Sequence, residues 1–101
     1  MEINVVAEEG NAVIRLKGRF DFSTHREFRA AIEQAMQESY TRKIRVDLGG
    51  VDYLDSSALG MLLILRDRAL DAGRQTRITG STGNVRNVLA MCNIGQLIPL
   101  D

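Results

Sequence analysis

The sequence predicts an α/β domain, a four- to five-stranded mixed sheet covered by about three main helices. Three observations support this. Apolar and polar residues alternate at every second position in two short runs, and apolar residues recur at three- and four-residue steps in two others. The two kinds of run also follow one another in the order strand, strand, helix, strand, helix, strand, helix, which favours helices packed on a mixed or parallel sheet. A chain of 101 residues suits one hydrophobic core and is too short for two joined by a linker. Residues 1–101 are therefore expected to form a single domain.

The opening reads as a hairpin, with Ile3 to Ala7 and Ala12 to Lys17 as strands and Gly10 and Asn11 supplying the turn's unusual dihedrals. Ala12, Ile14 and Leu16 would face the core, and Arg15 and Lys17 the solvent. From Thr24 the period changes. Phe28, Ala31, Ile32, Ala35 and Met36 share one helical face, which predicts a helix from Thr24 to Ser39. Thr24 and Glu27 have capping-box spacing, and Arg29 and Glu33 are one turn apart on the opposite face. Ile44, Val46 and Leu48 alternate in a third strand that is expected to end at Gly49 and Gly50.

Asp55 is a suitable N-cap and Gly73 a suitable left-handed terminator, bracketing a second helix from Ser56 to Ala72. Thr76 to Thr79 is a weaker fourth strand. Val85, Val88, Leu89 and Cys92 repeat at helical spacing in a short third helix, which would make Cys92 a small core residue. Pro99 confines any last strand to an edge.

Composition narrows the function. Thirteen basic and thirteen acidic residues leave no net charge, so no broad field favours nucleic acid or an anionic membrane. The longest apolar-or-glycine run, Ala58 to Leu65, is far short of the roughly 20 residues of a membrane-spanning helix. One cysteine cannot form an internal disulfide, and no basic segment followed by an apolar one opens the chain, so a cytoplasmic protein is expected.

The stretch Val46 to Leu65, VDLGGVDYLDSSALGMLLIL, holds three aspartates, two serines and no basic residue. Ser56 and Ser57 occupy the first turn of the predicted helix, where unpaired amides and the helix dipole favour an added anion. A phosphate there would add about −1.5 to −2 charges beside Asp52 and Asp55 and would act on a docked partner more than on the fold. Asp-Ser-Ser is also an ordinary helix start, and spacing alone does not separate the two readings. The first half of the helix is apolar nearly all round, consistent either with burial between sheet and neighbours or with a partner face on which Met61 is the best candidate for exposure.

These residues resemble a known family. DSSALG at Asp55 to Gly60 is similar to the D-S-S/T-G-L-G signature of STAS domains, the bacterial anti-sigma-factor antagonists, and GRFDFST at Gly18 to Thr24 is similar to the family's G-x-L-D segment. The inferred order of elements matches the STAS fold along the whole chain. The resemblance implies that Ser56, with Ser57 as the fallback, accepts phosphate from an anti-sigma factor that is also a serine kinase. It implies that a PP2C-type phosphatase reverses this step. The unphosphorylated form would bind the anti-sigma factor and release the sigma factor, and the phosphorylated form would not. Asp21 and Asp55 would flank the acceptor, with Ser57, Ala58, Leu59 and Met61 completing the partner surface. Ala58 stands where the family usually has glycine and Phe20 where it usually has leucine.

The same resemblance leaves an alternative, a constitutive STAS scaffold subunit of a transport or signalling complex, for instance a lipid-transport machine. An enzyme is not expected. No G-x-S-x-G elbow, Walker-type loop or paired-cysteine motif is present, and the lone His25 supplies neither a metal cluster nor a base placed by sequence beside Ser56. No metal or cofactor is implied. Gly80 to Asn84 could cradle an anion ahead of the third helix, although such turn residues commonly precede helices.

Overall fold

A computed structural model describes residues 1–37 and 42–101. Four strands, β1 (Glu2–Glu8), β2 (Asn11–Phe20), β3 (Lys43–Leu54) and β4 (Gln75–Thr79), form a sheet in that order. β1 runs antiparallel to β2, whereas β2, β3 and β4 are mutually parallel, which makes the sheet mixed. The parallel connections carry α1 (His25–Met36) and α2 (Ser56–Asp71), and α3 (Gly83–Met91) follows β4. The end of α1 expected at Ser39 lies outside the described residues.

The alternation read in β2 is realised as a two-faced strand. Ile14, Ile44, Val46 and Ile78 join residues of all three helices in one core cluster. On the other face Arg15 and Arg45 both reach Glu8, and Arg15 also lies 3.6 Å from Asp47. The hairpin ladder extends to the pair Glu8↔Asn11, so the positive dihedrals fall at Glu9 (φ 51°) and Gly10 (φ 81°), not at Gly10 and Asn11.

β3 does not stop at Gly49 and Gly50 but continues to Leu54. Between the pairs Arg15↔Asp47 and Lys17↔Gly50, and again between Gly18↔Val51 and Arg19↔Tyr53, β3 spends one residue more than β2. These two bulges change the spacing of its core residues from two positions (Ile44, Val46, Leu48) to three (Leu48, Val51, Leu54). Alternation therefore fails while the strand persists.

In α1 the buried residues Phe28, Ala31, Ile32 and Ala35 are those expected. Its start differs. The Thr24 hydroxyl donates to the Asp21 carbonyl at 2.8 Å and caps nothing, because a 3-10 turn over Phe22–Thr24 begins the coil earlier. The capping box with Glu27 is absent. Glu33 forms its ion pair with Arg68 of α2 rather than with Arg29, tying the two helices together; Arg68, with a smaller contribution from the charge of Arg29, holds the Glu33 carboxyl below the ordinary value.

Ala58, Met61, Leu62, Leu65 and Ala69 form the buried stripe of α2, and Gly73, at φ 73°, ends the helix after Ala72. Met61, expected at the surface, is only 5% exposed; the outward apolar side chains are Ile64 at 44% and Leu70 at 54%. In α3 Val85 and Leu89 are buried, but Cys92 is exposed, because the helix ends at Met91 and the spacing that would bury it is lost. After α3 a 3-10 turn over Ile94–Gln96 leads to an edge bridge, Ile78↔Leu100, in which the Pro99 carbonyl accepts from the Ile78 amide at 2.9 Å. Among the described residues no helix is long and apolar enough to cross a membrane.

The left-handed Glu9 carries a steric cost that Asn bears more easily. Glu9→Asn should raise unfolding stability by about 0.5–1 kcal/mol in urea titrations; an unchanged or lower midpoint would show that the turn is not under this constraint.

Candidate modification and docking site

β2 and β3 end side by side in the pair Phe20↔Leu54, and an aspartate follows each. Asp21 has φ −137° and ψ −173°, Asp55 has φ −114° and ψ −175°, and each caps the turn that comes next. Asp55 accepts the Ala58 amide at 2.9 Å, and Asp21 accepts the Ser23 amide at 3.0 Å. The Asp55 amide in turn donates to the Phe20 carbonyl at 3.4 Å, joining the two starts. One local device is therefore built twice on adjacent parallel strands, and Ser56 and Phe22 hold equivalent places in it.

Ser56 is exposed and Ser57 is half-buried in the first turn of α2. With Asp55 taking the Ala58 amide and the Asp55 carbonyl taking that of Leu59, the Ser56 and Ser57 amides lie ahead of the helix's own ladder. The turn can receive negative charge without breaking a bond. Of the other residues expected at the partner surface, Asp21, Asp55 and Leu59 are half-buried and thus reachable. Ala58 and Met61 are not. Ala58 is fully buried, so it can support a partner contact only from beneath, and Met61 contributes to the floor of a groove.

Asp21 is engaged on both oxygens. The Ser23 hydroxyl donates to Oδ1 at 2.5 Å, and the Arg19 Nε lies 3.5 Å from Oδ2. The Ser23 hydroxyl bond, followed by its amide and Arg19, holds the carboxyl below its ordinary value against a partial loss of hydration. Arg19 also stacks over the Tyr53 ring at 4.0 Å, bringing a cation to a segment that has none in its own sequence. The register pair Arg19↔Tyr53 makes this contact, a signal that local reading of residues 46–65 does not contain.

Beside these caps lies a groove of about 280 Å³ between α1 and α2, lined by Phe22, His25, Arg29, Ser57, Met61 and Ile64 among others. Phe22 is 64% exposed and stacks on the His25 ring at 4.8 Å. His25 Nδ1 is 3.2 Å from the Phe22 carbonyl. Sequence reasoning missed Phe22, Arg29 and Ile64 as site residues, because only the packing of α1 against α2 brings them to Ser57. Among the described residues no group of three or more His, Cys, Asp or Glu could hold a metal ion.

A family model described as "Mlab, STAS domain" matches residues 3–99. The chain belongs to the STAS domain family. It is 42% identical over 94 residues to a STAS-domain containing protein of Pseudomonas aeruginosa, covering 93% of this chain and 91% of that one. It is 23% identical over 100 residues to the anti-sigma F factor antagonist of Paenibacillus polymyxa, covering 99% and 86%. Among solved structures it is similar to the anti-sigma factor antagonist SpoIIAA in its unphosphorylated form, with TM-score 0.66, 25% identity and coverage of 89% and 83%. The expected STAS fold is thus established, as is the likeness to anti-sigma factor antagonists.

Both departures from the usual motif are core substitutions. Phe20 is fully buried with its ring 5.0 Å from that of Phe28, and the Ala58 methyl is buried at the first turn of α2. Neither alters the exposed position of Ser56.

Because the folded Asp21 carboxyl is held low, its stabilising contribution is complete above its unfolded value and is lost as pH falls through the folded one, below about pH 4. A carboxyl NMR titration should place the Asp21 midpoint under the ordinary aspartate value, and Ser23→Ala should raise it. An unmoved midpoint in Ser23→Ala would assign the shift to the retained residue-23 amide and Arg19 instead.

Proposed function

We propose that this domain is a non-catalytic, cytoplasmic anti-sigma factor antagonist whose docking is controlled by phosphorylation of Ser56. The observation that carries the reading is the exposure of Ser56 at the mouth of a capped helix whose first amides are not used by its ladder. The unphosphorylated form docks an anti-sigma factor with serine kinase activity and so releases the sigma factor. The kinase moves a phosphoryl group from its nucleotide to the Ser56 hydroxyl, whose proton leaves; a PP2C-type phosphatase returns the hydroxyl by hydrolysis.

The physics of the switch follows from the site. An added phosphate is accommodated by the helix dipole and the Ser56 and Ser57 amides, so the fold holds. The surface changes more. Asp52 is exposed, and Asp21 and Asp55 are half-buried beside the acceptor, so nearly two more negative charges strengthen a field that an approaching surface must match. Asp21 and Asp55 position the turns, while Ser57 and Leu59 contribute reachable contact area.

A second reading, a constitutive STAS scaffold subunit, is favoured by one observation. The groove beside Ser57 presents exposed Phe22 and Ile64, a docking feature that needs no modification.

Intact-mass analysis and site mapping of the protein from its own cells separate the two readings. A gain of one phosphate that disappears in Ser56→Ala but persists in Ser57→Ala is expected, with Ser56→Asp weakening the cognate complex at least about tenfold. Phosphate lost in Ser57→Ala would move the acceptor. Absence of phosphate under every growth condition would favour the scaffold.

A further inference from the structure

The groove between α1 and α2 combines apolar walls with one fixed charge. Phe22 and Ile64 rise on its rim, Met61 forms part of its floor, and Arg29 is the only lysine, arginine, aspartate or glutamate among its lining residues. Arg29 makes no ion pair within 4 Å among the described residues, and its charge acts on Glu33 only from farther off. Its natural partner one helical turn on, Glu33, is held instead by Arg68 through two hydrogen bonds. The interhelical pair thus occupies both Glu33 oxygens, and Arg29, which carries five donors, lines a groove that contains no carboxylate.

We infer that this groove is the specificity pocket of the docking surface and takes an apolar side chain flanked by a carboxylate from the partner protein. The inference rests on the docking role proposed above and names the chemistry of the segment that docks. The apolar side chain fills the space between Phe22 and Ile64 over Met61, and the neighbouring carboxylate accepts from Arg29. Anchors of this kind, an aromatic residue and an arginine around a small pocket, carry a large share of binding energy at protein interfaces. Ser57 lines the same groove and Ser56 precedes it in the same turn, so a phosphate on Ser56 adds negative charge next to the place where the partner's carboxylate must sit. Repulsion of that carboxylate gives phosphorylation a defined target.

The test is an NMR titration of the whole chain with a capped Leu-Glu-Leu tripeptide and its Leu-Lys-Leu counterpart. Millimolar binding of the acidic peptide is expected, with shifts centred on Phe22, Gly60 and Ile64, and about twofold to fivefold weaker binding of the basic one. Arg29→Gln should remove that preference, Arg29→Lys should keep part of it, and Ile64→Ser should weaken both peptides while leaving the remaining spectrum folded.

Equal response to the two peptides, or shifts centred elsewhere, would overturn the inference. Groove shifts that follow protein dilution without peptide would assign the surface to a second copy of the chain and overturn it as well. Ser56→Asp separates the two proposals: weaker acidic-peptide binding supports the switch acting through the groove, whereas unchanged binding leaves the pocket intact and counts against control by Ser56.

Discussion

The parallel pairing of β2 with β3 is the constraint on which the site depends. It runs through two bulges and ends at Phe20↔Leu54, so both strands release their chains at the same level of the sheet. An aspartate then accepts one amide of the following turn on each side, Ser23 for Asp21 and Ala58 for Asp55. A slip of one residue would turn the buried face of β2 outward and would also separate the two caps. The core therefore enforces the geometry of a surface made almost entirely of exposed and half-buried groups. Phe20 reinforces this by packing on Phe28, which anchors the end of β2 to the helix that follows it.

Much of this arrangement was legible because its signals are local. Asp55 followed by an apolar run specifies a helix start, and Gly73 specifies its end, since a cap and a left-handed terminator act within one turn. The element order follows from periodicity, which left a mixed or a parallel sheet open, and the antiparallel pairing of β1 with β2 makes it mixed. The second half of β3 was not legible, since its two bulges replace a two-residue spacing with a three-residue one across Gly49 and Gly50. The expected strand end was a local inference overridden by pairing with β2.

The phase of α2 was hidden for a different reason. Leu59, Leu63, Ile64 and Leu70 are all apolar but lie outside its buried stripe, so the composition of the helix does not reveal which side meets the sheet. Met61 is buried, and the exposed place expected of it is taken by Ile64. Charge pairing misled in the same way: Arg29 and Glu33 have good spacing within one helix, but Arg68 approaches from another and forms two bonds to Glu33. Cys92 shows the limit at a helix end, where spacing ceases to predict burial once the coil stops.

The duplicated cap divides the surface into residues the fold needs and residues it does not. Asp21 and Asp55 hold the backbone, whereas Phe22, with 64% of its surface open, and Ser56 beside it contribute little to the core. Drift at such positions leaves folding untouched. With the groove acting as the proposed docking pocket, a genome that carries several copies of this domain could keep their circuits insulated from one another by exchanging rim residues such as Phe22, Arg29 and Ile64, so that lineages diverge in whom they answer to while inheriting one scaffold.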